Sequence, residues 1–172
     1  MKVQCRWLVQ RDFDEGIQEI ESQLGDLRLP VNHLINFLRT RNCDGLVAED
    51  EDFRVLGYAV YELCNPFCRV LRLAVDEKYR REGVGRALIA KLKSKLSESR
   101  RPFLEFMVPE RALDLQLFLK SQNFVAIGIG EPDNNGNTSY LMEYRLPGTE
   151  PWLAEEEIDE AFSEGANGDS WG

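Results

Sequence analysis

Apolar positions recur with period two in some stretches of the chain and about every 3.6 positions in others, and the two periods mark out strands and helices. VQCRWLV (3–9) reads as a strand. A helix is expected from Asp12 to Leu24, with Asp12 and Glu15 at capping-box spacing. Val31, Leu34, Ile35 and Leu38 predict a second helix over Val31 to Arg41. GLVAED, a polar break at Glu51 and Asp52, and VLGYAVYEL together read as a β-hairpin, and CRVLRLAV (68–75) as a further strand. The period then lengthens: Leu88, Leu92 and Leu96, with Ala87 and Ile89 beside them, give a helix from about Gly83 to Ser97. FLEFMV (103–108), a helix over Leu113 to Ser121, FVAIGIG (124–130), an Asn/Gly loop (133–137) and TSYLMEYRL (138–146) complete the pattern. This mixed order with many strands fits an α/β (α+β) fold, one sheet with helices on both faces, better than a pure βαβ repeat.

Composition sharpens the domain boundary. The chain has 172 residues, 43% hydrophobic and 30% charged, which suits one domain. Its formal net charge of −9 is concentrated at one end: residues 149–172 carry eight acids and no Lys or Arg. The rest, with 21 bases against 22 acids, is close to neutral, so bulk charge argues against nucleic acid as the main partner. A domain over 1–147 and an acidic, disordered C-terminal tail over 148–172 are expected, the tail with a short helix from Pro151 to Phe162. No run approaches the roughly eighteen apolar residues of a membrane span. The opening MKVQCRWLVQRDFDE carries acids where a secretory signal keeps apolar residues, which predicts a cytoplasmic protein without a membrane partner.

Few residues are available for metal or nucleophilic chemistry. Of Cys5, Cys43, Cys64 and Cys68 only the last two are close, and the single His33 lies in the helical stretch VNHLINFL, so no metal site is expected. Reduced, packed thiols are the ordinary reading.

The informative segment is VDEKYRREGVGRALIAKLKSKL, which leaves a strand, passes through a Gly-containing turn and enters an amphipathic helix. The first free N–H groups of such a helix attract phosphate by hydrogen bonding and dipole, and Gly83 and Gly85 are expected to clear side chains from them. Residues 78–101 carry nine bases against two acids, a local anion site on a neutral body. Spacing excludes a Walker loop, which needs Lys-Ser/Thr after its second glycine, and the dinucleotide fingerprint, whose third glycine falls on Leu88. A tight turn without a ligand fits the glycines as well.

The string Arg80-Arg81-Glu82-Gly83-Val84-Gly85, after Val75-Asp76 and before Arg86-Ala87-Leu88, resembles the R-x-x-G-x-G/A motif of the GNAT superfamily of acetyl-CoA-dependent N-acetyltransferases. The resemblance runs from about Val3 to Leu146 and is nearest to the bacterial ribosomal-protein alanine N-acetyltransferases; VPERALDLQLFLKSQNF is similar to their later strand-helix-strand segment. It implies a single mixed, mostly antiparallel sheet with a splay between strands 68–75 and 103–108. It implies acetyl-CoA as cosubstrate, without metal: Leu73, Ala74 and Val75 pair their backbone with the pantetheine arm, Arg80, Arg81, Glu82, Gly83, Val84, Gly85 and Arg86 cradle the pyrophosphate, and an N–H near Val75 receives the thioester oxygen.

The chain departs from that family's pattern at four positions. Met107 stands where those enzymes place a general-base glutamate, Ala112 at their CoA-contacting asparagine, Leu119 at their general-acid tyrosine and Asn123 at the glycine before Phe124. Glu105, two residues before Met107 and on the same strand face, is the candidate catalytic base through a water, or else pairs with Arg72 or Arg101. Tyr140 or Tyr144 can donate a proton if the last strand borders the cleft. The resemblance thus implies transfer of acetyl to a primary amine, foremost a protein N-terminal α-amine, by direct attack in a monomer or homodimer; an acyl intermediate on Cys64 or Cys68 stays open. The alternatives are a catalytically weak acetyl-CoA-binding module acting through a partner and a small-amine acetyltransferase. Acceptor contacts are expected from the 25–33 loop and the last two strands.

Overall fold

The computed structural model describes residues 1–149; the expected tail and its helix lie almost wholly outside them. Seven strands form one sheet in the order β1-β2-β3-β4-β5-β7-β6: β1 (Gln4–Trp7), β2 (Cys43–Glu49), β3 (Val55–Leu63), β4 (Phe67–Val75), β5 (Phe103–Pro109), β6 (Val125–Ile129) and β7 (Ser139–Arg145). Every neighbouring pair is antiparallel except β4 with β5. The helices are α1 (Gln18–Ser22), α2 (Val31–Arg39), α3 (Val84–Lys93) and α4 (Leu113–Ser121).

Two cores explain why the apolar pattern could be read. Leu46, Leu56, Ala59, Tyr61, Val70, Leu73, Leu104, Phe106 and Val108 pack on one face with Leu88, Ile89 and Leu92 of α3 and Leu119 of α4. On the other face Val47, Tyr58, Val60 and Ala74 pack with Phe13, Ile17 and Ile20 before and within α1 and with Leu34 of α2. The sheet therefore buries both faces of its first half, as expected. No helix among the described residues is long and apolar enough to cross a membrane.

The entry to α1 differs from the capping-box expectation. Asp12 is helical in backbone and makes no side-chain cap; Phe13–Ile17 forms a π-helical turn. Its carboxylate instead accepts from Arg6 Nη1 at 2.9 Å, Arg6 Nη2 at 2.8 Å and the Val9 N–H at 2.8 Å. A bidentate guanidinium–carboxylate pair outcompetes the single backbone N–H bond of a cap. Arg6 Nε also reaches Glu49 at 2.7 Å, so one cation ties β1, β2 and the α1 entry together.

Candidate active site

The pairing of β4 with β5 stops short. It runs only from Phe67 opposite Phe103 to Val70 opposite Phe106, after which Leu71–Val75 and Met107–Pro109 have no partner across the gap. A register shift in β4 where Val60 faces Arg72 and Tyr61 faces Val70 leaves Leu71 as the extra residue of a bulge, and a bulge bends its strand away. The split holds a cavity of about 270 Å³ lined by Leu71, Arg72 and Leu73 on β4, Phe106, Met107 and Pro109 on β5, Asp26, Leu27, Arg28 and Leu29 from the loop before α2, and Arg111 and Leu115.

Backbone groups in the split are set by strand alternation. The Asp76 N–H donates to the Leu56 carbonyl at 2.9 Å. The main chain of Ala74 therefore faces β3, and that of Leu73 and Val75 faces the split. Of the three residues expected to meet the pantetheine arm, Leu73 and Val75 turn their backbone groups to the split, with the Val75 carbonyl accepting from Arg80 Nε at 3.5 Å.

The turn that follows builds the segment expected to meet an anion. Asp76 caps a single 3₁₀ turn through the Lys78 N–H at 2.9 Å. Arg81 and Gly83 both take the left-handed conformation, at φ +67° and +86°, and the first helical bond of α3 runs from Ala87 N–H to the Gly83 carbonyl. The N–H groups of Gly83, Val84, Gly85 and Arg86 precede that bond and form the free donor set at the positive end of the helix. A side chain added at Gly83 would meet no atom within 4 Å, so the space above this turn is open. Arg80, Arg81 and Arg86 are exposed, and none forms an ion pair among the described residues. Gly85 has another role than the sequence suggests: its absent Cβ would lie 2.9 Å from the Phe118 ring. The second glycine admits the α4 aromatic against the first turn of α3 and does not clear space for an anion.

The remaining candidates separate. Glu105 lies in the paired part of the split strands, opposite Arg69, whose guanidinium is 3.6 Å away, and it is absent from the cavity lining. Neither expected partner is correct: Arg72 bonds Glu21, at 2.9 Å from Nε and 2.6 Å from Nη2, and Arg101 Nε donates to the Cys64 carbonyl at 2.9 Å. Met107 lines the cavity and lies against Gly130. Ala112 is the buried N-cap residue of α4, and Leu119 is fully buried in the core. Asn123, in the family's glycine position, has φ +66°, a conformation Asn tolerates. Tyr140 pairs with Val108 at the open end of β5, with its hydroxyl 3.5 Å from Glu110. Tyr144 lies toward the closed end, under the Lys93 ammonium at 3.8 Å.

The thiols are poorly suited to carry an acyl group. Burial pushes Cys68 up to about 12, and burial with the Glu62 carboxylate raises Cys64. Cys68 also sits in the closed, paired part of β4. Among the described residues no three His, Cys, Asp or Glu side chains come together as metal ligands.

The sequence reasoning missed Asp26, Arg72 and Arg111, all lining the cavity. The 25–33 loop was expected to hold acceptor contacts, and Asp26 to Leu29 do line the cavity; β6 and β7 contribute no lining residue.

Residues 41–126, half of the chain, match the family described as Acetyltransferase (GNAT) domain. No curated protein matches in sequence. Among solved structures, the Escherichia coli ribosomal-protein-S18-alanine N-acetyltransferase superposes with a TM-score of 0.70 at 17% identity, covering 84% of this chain and 94% of that chain. Ard1 from Thermoplasma volcanium gives 0.72 at 20% identity, over 85% and 99%. A Bacillus anthracis protein described as a streptothricin acetyltransferase, in complex with acetyl coenzyme A, gives 0.67 at 18% identity, over 84% and 100%. Sheet order, the split between β4 and β5 and the turn into α3 agree with the sequence match: the chain belongs to the GNAT acetyltransferase family.

Proposed function

We propose that the protein transfers acetyl from acetyl-CoA to a primary amine, foremost the α-amine of a protein N-terminus. The observation that carries the reading is the split between β4 and β5 opening beside a free helix N-terminus flanked by three arginines that form no ion pair among the described residues. The chain's groups suit the cosubstrate: an acyl-pantetheine arm is an extended amide chain able to pair as a strand does, and its pyrophosphate is an anion for the α3 turn.

Bound there, acetyl-CoA supplies an activated acetyl thioester. The backbone of Leu73 and Val75 holds the arm in the split, and a free N–H at this level is placed to polarise a carbonyl oxygen. Gly83 to Arg86 with Arg80 and Arg81 hold the pyrophosphate. Among the described residues that line the cavity Asp26 is the only carboxylate, beside Arg28, Arg72 and Arg111, and is the acceptor there for the amine's hydrogens. Positioning of the two reactants supplies the larger part of the rate, as proximity contributes ~7–11 kcal/mol in well-oriented systems.

One set of observations favours a second reading, a weakly catalytic acetyl-CoA-binding module acting through a partner: Met107, Ala112 and Leu119 stand at the three positions of the usual catalytic side chains. Calorimetry with acetyl-CoA, followed by thiol release in the presence of N-terminal peptides, separates them. Binding with acceptor-dependent turnover supports the enzyme; binding without turnover supports the module; no binding refutes both.

A further inference from the structure

Glu21 is fully buried in α1, and its two carboxylate oxygens have four partners: Arg72 Nε, Arg72 Nη2, the Tyr58 hydroxyl and the Leu29 N–H, the last at 2.7 Å. Arg72 Nη2 also donates to the Leu27 carbonyl at 2.9 Å. The pair thereby fixes the loop from Leu27 to Leu29, one wall of the cavity, to β4, the opposite wall. Burial and the neighbouring Glu21 charge push the Tyr58 hydroxyl up, so it stays a neutral donor.

Arg72 carries five N–H groups, and this network uses Nε and Nη2. Nη1 has no partner among the described residues and is not one of the buried orphan atoms, so it keeps exposed surface on a side chain that lines the cavity. A guanidinium neutralised by a buried carboxylate offers a directed pair of donors with little net charge. Such a group suits a neutral carbonyl oxygen better than a carboxylate. Asp26, adjacent in sequence to the Leu27 carbonyl that Arg72 holds, lines the same cavity together with Arg28 and Arg111, whose Nη2 donates to the Asp26 carbonyl at 3.3 Å, and its carboxylate is the acceptor among them for an ammonium hydrogen bond. An acceptor for the amine and a donor for a carbonyl side by side describe an amine whose next but one atom is an amide carbonyl, the start of a peptide.

Resting on the acetyl-transfer reading above, we infer that Arg72 is an acceptor-binding residue, whose Nη1 donates to the first carbonyl oxygen of a peptide acceptor and so selects peptide N-termini over amines that lack an adjacent carbonyl. The ion pair with Glu21 positions it.

The test is a cycle between enzyme and substrate. Acceptor-dependent thiol release is measured for wild type and Arg72→Lys with a peptide and with the same peptide whose first carbonyl is reduced to a methylene. Lysine keeps the charge and loses the fork, and the cycle cancels the altered basicity of the reduced amine. The expected result is that the peptide's advantage in kcat/KM shrinks about tenfold in Arg72→Lys, the worth of one hydrogen bond, while the dissociation constant of acetyl-CoA is unchanged. An equal advantage in both enzymes overturns the inference and leaves acetyl transfer standing. A wild type that neither binds acetyl-CoA nor turns over overturns both. Glu21→Gln gives an independent check that survives an unfolded Arg72 variant. The unneutralised guanidinium is expected to favour peptides with an acidic second residue severalfold over neutral ones, and no change in that preference counts against the inference.

Discussion

Substitution of Gly83 separates the two reasons for a glycine at the α3 turn. Its φ of +86° costs an ordinary L-residue about 1–2 kcal/mol, whereas Asn enters this region with little strain. Any Cβ at this position stands in the open space above the turn, among the free N–H groups of the helix start. For a domain of this size 1 kcal/mol corresponds to about 2–4 °C in Tm, so Gly83→Ala is expected to melt roughly 2–8 °C lower and Gly83→Asn within about 2 °C of wild type. Acetyl-CoA binding follows a different order. Displacing the pyrophosphate from one charge-assisted hydrogen bond, worth about 1.5–3 kcal/mol, costs about 10- to 150-fold in affinity for both variants, and more if a second bond is lost. Thermal melts paired with calorimetric titration of acetyl-CoA read the two effects separately. Wild-type affinity in Gly83→Asn, with the fold intact, would refute the assignment of this turn as the cradle.

Further predictions follow from the same geometry. Gly85→Leu forces its side chain against the Phe118 ring and is expected to destabilise by about 1–3 kcal/mol; Phe118→Ala should relieve much of that in a double-mutant cycle, and strict additivity would deny the contact. Cys68, with its thiol near 12, should resist alkylation of the native protein at pH 8 while the unfolded chain reacts, and Cys64→Ala with Cys68→Ala should retain acceptor-dependent transfer; loss in either would revive an acyl-thiol route. Burial alone would raise Asp12, but the Arg6 guanidinium and the Val9 N–H hold it below its ordinary value. The unfolded carboxyl titrates near 3.9, so this stabilisation is complete above about pH 4 and is lost as pH falls through the lower native value. Arg6→Met should remove that acid limb from the stability profile and cost about 3–5 kcal/mol at neutral pH, because Asp12 and Glu49 stay buried without their cation.

The sequence made the elements legible because each core takes alternate strand residues, Leu46, Ala48, Ala59 and Tyr61 on one face and Val47, Tyr58 and Val60 on the other; Leu56, the extra residue of a bulge in β3, is the exception. The turn into α3 was legible because consecutive residues from Arg80 to Arg86 form it. The partner of Glu105 was not, since it depends on where a parallel ladder starts. With Phe67 opposite Phe103, Glu105 falls on Arg69, while the bulge at Leu71 leaves Arg72 to meet Glu21, 51 residues away in the chain. The cavity lining was hidden for the same reason, because Asp26, Arg72 and Arg111 meet only after the loop behind α1, β4 and the entry to α4 are packed. Asp12 misled because its spacing to Glu15 is the signal of a cap, while Arg6, six residues earlier on β1, takes the carboxylate in a bidentate bond.

The composition of the cavity bears directly on which amine can react. With Met107 where a glutamate base is usual and Asp26 as the one lining carboxylate, the acceptor must reach the thioester already neutral. An α-amine near pKa 8 gives up its proton at pH 7 for about 1 kcal/mol, and a lysine near 10.4 for about 4.6 kcal/mol. The difference makes the free α-amine a few hundredfold (~200–400) more abundant than the free ε-amine. A peptide with an open N-terminus is therefore expected to react at least ~100-fold faster at pH 7 than one whose only amine is lysine. Rate against pH carries the stricter test. If no protein base acts, kcat/KM for the α-amine peptide climbs tenfold per pH unit and levels at the amine's own pKa, near 8. A plateau reached two units lower would mean that an ionising side chain takes the proton, and the search for that base would start at Asp26.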